Sequence, residues 1–119
     1  MVKFVGLMRR KPGMTRAEFV DYWQNVHAPL AMSVHEFGRF VRKYVQNIPL
    51  EASESASVPE LPGSPGFDGV AEIWFDSIDD ATKAFSEPRY LEVIRADELR
   101  FLDLPNCVVL VVREVQLIG

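Results

Sequence analysis

The sequence contains one cysteine, Cys107, and two histidines, His27 and His35. A lone cysteine excludes an internal disulfide and every metal site that needs several cysteines. It stands at the head of an apolar run, which predicts a buried and unreactive thiol. The two histidines fall on different faces of one predicted helix, and no carboxylate cluster accompanies them. We therefore expect no metal site.

Basic charge and long hydrophobic runs are also scarce. The formal net charge is −4 at pH 7, and the one basic cluster, residues 9–11, precedes a Pro-Gly turn. This gives no electrostatic case for nucleic-acid binding. No apolar run has the length of a membrane span, and the apolar opening residues 1–8 are too short for a signal peptide. The sequence therefore predicts a cytoplasmic protein that binds neither nucleic acid nor membrane.

A chain of 119 residues, 48% of them hydrophobic, is long enough for one core. We expect a single domain over residues 1–119. The predicted strands are residues 2–9, 40–48, 68–76 and 107–118, and the predicted helices are residues 15–34, 78–85 and 90–101. This βαββαβ order is typical of an α+β ferredoxin-like fold with a four-stranded antiparallel sheet. Residues 49–67, which include four prolines, are expected to form a flexible loop or a lid.

Two helices can cover only one face of such a sheet. The last strand begins with a continuous apolar run, which predicts burial on both of its faces. Four further apolar or aromatic side chains are expected on the uncovered face: Phe40, Tyr44, Val70 and Trp74. A second copy laid sheet against sheet would cover that face, so the sequence predicts a homodimer.

The first predicted helix carries the most distinctive residues of the chain. Thr15 and Glu18 form a capping-box pattern at its start, and Pro29 predicts a kink or pause after His27. The apolar stripe of this helix is predicted to consist of Phe19, Trp23, Val26, Leu30, Val34 and Phe37. His27 falls about 80° from Phe19 around the helix, which predicts a half-sheltered imidazole beside the stripe. It is either an ordinary boundary residue or an acid/base group at the edge of a cavity.

Two strand residues are the candidate partners of His27. Tyr44 could donate a hydrogen bond to a carbonyl or enolate oxygen, or be an ordinary strand residue. Glu72 could orient the imidazole, or pair with Arg42 or Arg9 across the sheet. Further candidates for contact with a substrate are Trp23, Phe40, Asp68, Val70 and Trp74. Asp68, Val70, Glu72 and Trp74 share one face of the third strand by alternation.

Four segments together resemble the EthD-type family within the dimeric α/β-barrel superfamily. They are residues 9–15, the helix with Trp23 and the His-Ala-Pro-Leu run that begins at His27, residues 44–47, and residues 67–75. The resemblance implies a ferredoxin-like monomer paired into a barrel. The family includes an accessory protein of ether degradation. The family is similar to methylmuconolactone methylisomerases and to decarboxylases or dehydratases of aromatic polyketide pathways. The resemblance also implies catalysis by a histidine at the position of His27, without a metal or organic cofactor.

The leading hypothesis is a cofactor-independent lyase or isomerase for a small cyclic, aromatic or polyketide-like carbonyl substrate. His27 would move a proton next to the carbonyl, as isomerisation, dehydration or decarboxylation requires, while Tyr44 polarises the oxygen. Two alternatives stay open. One is a non-catalytic accessory dimer that binds a hydrophobic ligand. The other is oxygenation without a cofactor, which needs an electron-rich phenol as substrate. Haem binding would require an axial histidine, for which His27 gives only a weak signal.

Overall fold

The computed structural model describes residues 1–51 and 66–119, so most of the predicted 49–67 loop or lid lies outside the described residues. Four antiparallel strands form one sheet in the order β2-β3-β1-β4. They are β1 (Val2–Met8), β2 (Val41–Asn47), β3 (Gly69–Phe75) and β4 (Val108–Arg113). Outer β2 and β4 flank the central pair β3 and β1, which is the ferredoxin-like arrangement. The predicted α+β fold class is confirmed.

The helices of the described residues lie between β1 and β2 and between β3 and β4. They are α1 (Arg16–Tyr22), α2 (Ala28–Ser33), α3 (His35–Gly38), α4 (Ile78–Ser86) and α5 (Ala96–Phe101), with π-helical turns at Trp23–His27 and Tyr90–Arg95 and a 3₁₀ turn at Leu104–Asn106. Thr15 caps α1 and forms the predicted capping box with Glu18. Ser77 caps α4 through the Asp80 amide. Within residues 1–51 and 66–119, no helix has both the length and the apolar character that crossing a membrane requires.

The π-helical turn Trp23–His27 changes which residues of the first helical segment are buried. The Ala28 amide donates to the Trp23 carbonyl, five residues back instead of four. Pro29 follows directly, has no N–H and crowds a regular helix, and the wide turn accommodates it without a break. The wide turn places His27 at the buried position after Trp23, with 6% of it exposed, whereas Val26 is 44% exposed. The predictions of a half-sheltered His27 and a buried Val26 are therefore wrong.

The helices cover one face of the sheet. Ala71 and Phe75 of β3 are buried in the core beneath the helices, so the alternate residues Val70, Glu72 and Trp74 point to the helix-free face. On β2 the pairing register shifts between Val41 and Lys43, which inserts Arg42 as an extra residue. Phe40, just before β2, and Tyr44, within it, both pack into the core that the helices cover. The prediction that put these two residues on the uncovered face is therefore wrong.

Gly69 opens β3 at the place where the Trp23 ring lies against the sheet. A Cβ atom on Gly69 would lie 2.6 Å from Trp23 Cζ3 and 3.0 Å from Cη2. These separations are shorter than carbon atoms tolerate, so glycine is required for the ring to pack this closely. Trp23, only 1% exposed, is thereby fixed against the sheet together with Phe19 and Phe101.

The edge strand β4 is not covered by the helices. Its apolar residues from Val108 to Val111 are between 42% and 55% exposed. The predicted burial of both faces of this strand is wrong for the single chain, because α4 and α5 do not extend over the β4 edge. The strand leaves an apolar surface open on both sides of the sheet.

Candidate functional site

A buried histidine and a buried aspartate meet between the two helical segments that cover the sheet. His27 Nδ1 lies 2.8 Å from Asp97 Oδ2, and the two residues are 6% and 5% exposed. His27 ends the first π-helical turn, and Asp97 follows the second by two residues. A carboxylate facing Nδ1 favours the imidazole tautomer with its proton on Nδ1, which leaves Nε2 as an acceptor.

Neighbouring groups hold this pair in place. The Tyr22 hydroxyl donates to Asp97 Oδ1 at 2.5 Å, so each carboxylate oxygen has a partner. Burial and the hydrogen bond to Asp97 raise the pKa of the Tyr22 phenol, and a hydrogen bond from Arg100 opposes that rise. The Phe101 ring lies 4.7 Å from the His27 ring, centroid to centroid. The imidazole is therefore oriented on one side by a carboxylate and packed on another by an aromatic ring.

His27 lines a cavity of about 370 Å³ between the helices and the sheet. We call it the His27 cavity. Its polar and aromatic lining includes His27, Trp23, Tyr44, Tyr90, Arg95 and Glu98. Val108 and Val109 of the exposed β4 edge also line it, so the cavity adjoins the uncovered side of the molecule. Its size and largely apolar lining suit a small organic ligand.

Tyr44 is positioned as a hydrogen-bond donor towards this cavity. Its hydroxyl oxygen accepts from Gln46 Nε2 at 2.9 Å, and Gln46 also donates to the Trp23 carbonyl at 3.1 Å. Burial raises the pKa of the Tyr44 phenol, while hydrogen bonds from Gln46 and Trp23 lower it. Because the oxygen already accepts these bonds, its own proton remains available to a ligand oxygen.

A second polar cluster in the lining consists of Tyr90, Arg95 and Glu98. The Tyr90 hydroxyl lies 3.2 Å from both Glu98 carboxylate oxygens, and Arg95 Nε donates to Glu98 Oε1 at 2.7 Å. Burial, and then the negative charge of Glu98, raise the pKa of Tyr90 to about 12. The phenol therefore stays protonated and donates to the carboxylate.

Of the predicted site residues, His27, Trp23 and Tyr44 come together in the His27 cavity, and Glu72 does not. Glu72 points to the helix-free face, where Lys3 Nζ lies 2.7 Å from Oε2 and Asn47 Nδ2 donates to Oε1 at 2.8 Å. The alternative, a pairing of Glu72 with Arg42 or Arg9, is also wrong, since Glu72 pairs with Lys3 and Arg42 binds Asp76. Successive residues of a strand point to opposite faces of the sheet, and Glu72 points away from the face on which His27 lies. Glu72 therefore cannot orient that imidazole within one chain.

The other expected substrate contacts also lie outside the cavity. Val70 and Trp74 are on the helix-free face, and the Trp74 ring lies between Lys3 and Lys43, whose Nζ atoms are 5.0 and 4.7 Å from its centroid. Phe40 belongs to the other core cluster, under the Arg39 guanidinium.

Asp68 contributes to a different part of the structure. It accepts from the Arg10 amide at 2.9 Å and the Arg10 guanidinium at 2.5 Å. These bonds tie the end of β1 to the start of β3.

Sequence reasoning missed Asp97 and Tyr22. Asp97 occupies a core position in the last helix, three residues after Ile94 and four before Phe101, both of which are buried. A carboxylate at helical spacing between apolar positions is a signal for a buried, partnered acid. Within the described ranges 1–51 and 66–119, no three His, Cys, Asp or Glu side chains converge in a way that could hold a metal ion.

The EthD domain family model matches residues 11–105 of the chain. The conidial pigment biosynthesis dehydratase EthD of Metarhizium robertsii is 30% identical over 100 residues, which cover 79% of this chain and 68% of that protein.

Solved structures with this fold are more distant in sequence. An EthD-like protein from Ralstonia eutropha superposes with a TM-score of 0.68 at 18% identity, covering 99% of this chain and 96% of that one. A dimeric protein of unknown function with a ferredoxin-like fold from Bacteroides fragilis superposes with a TM-score of 0.63 at 12% identity, covering 95% of each chain. The family model spans most of the chain, including His27, Tyr44 and Asp97. The chain belongs to the EthD domain family.

Proposed function

We propose that this protein is a cofactor-independent lyase of the dehydratase type, acting on a small cyclic, aromatic or polyketide-like carbonyl compound with His27 as the acid/base group. The observation that carries the proposal is the buried His27–Asp97 pair beside an apolar cavity of about 370 Å³. The dehydratase name of the Metarhizium robertsii relative favours dehydration over isomerisation or decarboxylation.

The chemistry follows from the two polar groups that line the cavity beside Trp23. Nε2 of His27 takes a proton from the carbon next to the substrate carbonyl, and Tyr44 donates a hydrogen bond to the carbonyl oxygen as negative charge develops there. The electrons of the broken C–H bond form a C=C bond, and the C–O bond to the β-hydroxyl breaks. The protonated imidazole returns its proton to the leaving oxygen, which departs as water. Asp97 stabilises the imidazolium between the two transfers.

The test compares His27→Ala with His35→Ala as the matched control, because His35 is the exposed histidine of the same helical region. A panel of cyclic β-hydroxyketones is the substrate, and absorbance of the conjugated product reports dehydration. We expect wild type and His35→Ala to turn over at least one member, and His27→Ala to bind it with similar affinity but lose turnover. Binding by all three proteins without turnover by any would refute the enzyme and support the ligand-binding alternative.

We also propose that two copies pair through the uncovered β4 side of the sheet. The support is the exposed apolar run from Val108 to Val111, together with the dimeric description of the Bacteroides fragilis structure. Analytical ultracentrifugation of Leu110→Asp tests this, with Leu99→Asp as the control because Leu99 is similarly exposed on a helix. We expect wild type and Leu99→Asp to sediment as dimers and Leu110→Asp as a monomer. A monomeric wild type would refute the pairing.

A further inference from the structure

Glu98 is a charged group of the His27 cavity that the proposed reaction does not use. It directly follows Asp97 on α5, yet the two carboxylates have different surroundings: Asp97 is bonded to His27 and Tyr22, whereas Glu98 lines the cavity itself. The Glu98 side chain is 16% exposed. Adjacent residues of a helix point in directions about 100° apart, which explains how one lies behind the imidazole and the other lines the ligand space.

The hydrogen bonds of Glu98 leave part of its accepting capacity unused. Arg95 Nε donates to Oε1, and the single proton of the Tyr90 hydroxyl is shared between Oε1 and Oε2. An ionised carboxylate has about four acceptor positions, so Oε2 can accept a further bond. Tyr90 gives its proton to Glu98 and accepts from Arg95 Nη2 at 3.3 Å, so it does not compete as a donor to a ligand.

The negative charge of Glu98 affects the pKa values of other groups in the cavity. Its negative charge contributes to the raised pKa values of Tyr44, Tyr90 and Cys107, all of which line the same space. Arg95 is held within the cluster by its bonds to Glu98 and Tyr90 and is 44% exposed at its side chain. The cavity therefore offers a ligand two acceptors, His27 Nε2 and Glu98, and the phenol of Tyr44 as a donor, and Arg95 in the same lining keeps N–H groups that Glu98 and Tyr90 do not use.

We propose that Glu98 determines specificity by accepting a hydrogen bond from a hydroxyl group of the substrate, so that the cavity selects neutral hydroxylated rings and rejects carboxylates. This rests on the proposed function, since it concerns the same site. It narrows the substrate class to a polyhydroxylated cyclic ketone or its phenolic tautomer. A β-keto acid would bring its carboxylate against Glu98, which disfavours decarboxylation as the reaction.

The experiment measures binding of three probes by isothermal titration calorimetry: 1,3-dihydroxynaphthalene, 1,3-dimethoxynaphthalene and 1-naphthoate. Wild type is expected to bind the diol about 10- to 100-fold more tightly than the dimethyl ether, because a hydrogen bond to a charged acceptor is lost with the ether. In Glu98→Gln this preference is expected to fall at least fivefold, and naphthoate is expected to bind more tightly than it does to wild type. Glu92→Gln is the matched control, because Glu92 is exposed and also pairs with an arginine.

Three results would overturn the proposal. The first is that wild type binds the diol and the ether with equal affinity. The second is that Glu98→Gln and Glu92→Gln show the same probe preferences. The third is that wild type binds naphthoate most tightly of the three probes, which would make Arg95 the recognition group. The first and third use wild type alone, so they hold even if Glu98→Gln folds poorly. Binding needs no turnover, so His27→Ala is expected to keep the diol preference. Loss of the proposed catalysis and loss of the Glu98 role are thus separate outcomes.

Discussion

Replacement of Asp97 by asparagine tests whether the buried carboxylate sets the tautomer of His27. Tyr22 donates to Oδ1 of Asp97, and its own oxygen accepts from Arg100, so an asparagine at 97 must place its carbonyl oxygen towards Tyr22. Its NH₂ group then faces Nδ1 of His27 across the 2.8 Å contact. An NH₂ group can only donate, so Nδ1 must accept and the imidazole proton moves to Nε2. The nitrogen that faces the cavity would no longer be a base.

The expected loss is large in activity and modest in stability. Positioned general acid–base groups contribute about 10²- to 10⁴-fold, so kcat/KM of Asp97→Asn should fall by that factor, which corresponds to about 2.7–5.4 kcal/mol of transition-state stabilisation. The free energy of unfolding should fall by about 1–3 kcal/mol, because a charge-assisted hydrogen bond becomes a neutral one. Asp79→Asn, at an exposed position of α4, should leave kcat/KM unchanged.

The assay combines turnover with ¹⁵N chemical shifts of the histidine ring nitrogens. Wild type should show His27 with its proton on Nδ1, and Asp97→Asn should show it on Nε2, while exposed His35 gives an unchanged reference signal. If Asp97→Asn keeps the Nδ1–H tautomer, or keeps kcat/KM within threefold of wild type despite the tautomer change, the orienting role of Asp97 is refuted.

Three further predictions concern other parts of the structure. Tyr44→Phe should lower kcat by about 10²- to 10³-fold with little change in KM, because the phenol, kept protonated by its raised pKa, donates to the developing oxyanion. Gly69→Ala should lower the free energy of unfolding by about 1–3 kcal/mol in urea denaturation, because its Cβ would lie 2.6 Å from the Trp23 ring. The hydrogen bond from Lys3 lowers the pKa of Glu72 below its ordinary value of 4.5, so this pair stabilises the fold above pH 4.5 and the contribution is lost as pH falls through the lowered value. Glu72→Gln should therefore be less stable than wild type by up to about 1 kcal/mol near neutral pH, and the two should converge in acid.

Each of these predictions has a contradicting result, and the Gly69→Ala prediction also has a matched control. For Tyr44→Phe, a rise in KM of about 10²- to 10³-fold with no fall in kcat would indicate that Tyr44 serves ligand binding instead of catalysis. For Gly69→Ala, the control is Gly38→Ala, whose Cβ would lie at an ordinary 3.5 Å from the Met32 carbonyl oxygen. Equal stability of the two alanine variants would contradict the packing argument. For Glu72→Gln, a difference from wild type that does not change between pH 7 and strongly acid conditions would show that charge is not the cause.

The fold was predictable because hydrophobic periodicity and turn residues are local properties of the sequence. The same holds for the capping box at Thr15. His27 and Tyr44 could be singled out because an imidazole and a phenol near apolar positions are informative without coordinates. Their common cavity was not predicted, because the strand pattern put Tyr44 on the uncovered face of the sheet.

The remaining parts of the site depend on non-local packing. The extra residue Arg42 in β2 and the wide turn before Pro29 each shift a periodic pattern by one position, which moved Tyr44 and His27 to faces other than those predicted. The partnership of His27 with Asp97 joins residues 70 positions apart. Only the packing of two helices brings them together, so a pairing based on strand alternation favoured Glu72 instead.

The wide turn Trp23–His27 also has a consequence for inheritance. A turn with one additional residue can be gained or lost by insertion or deletion of a single codon, and the codons of Trp23 and His27 need not change. Loss of one codon between Trp23 and His27 is expected to replace the wide turn by a regular α-helical turn and so to change the position of His27 relative to Trp23. Comparisons within the family should therefore count the residues between Trp23 and His27 as well as check that the histidine is present.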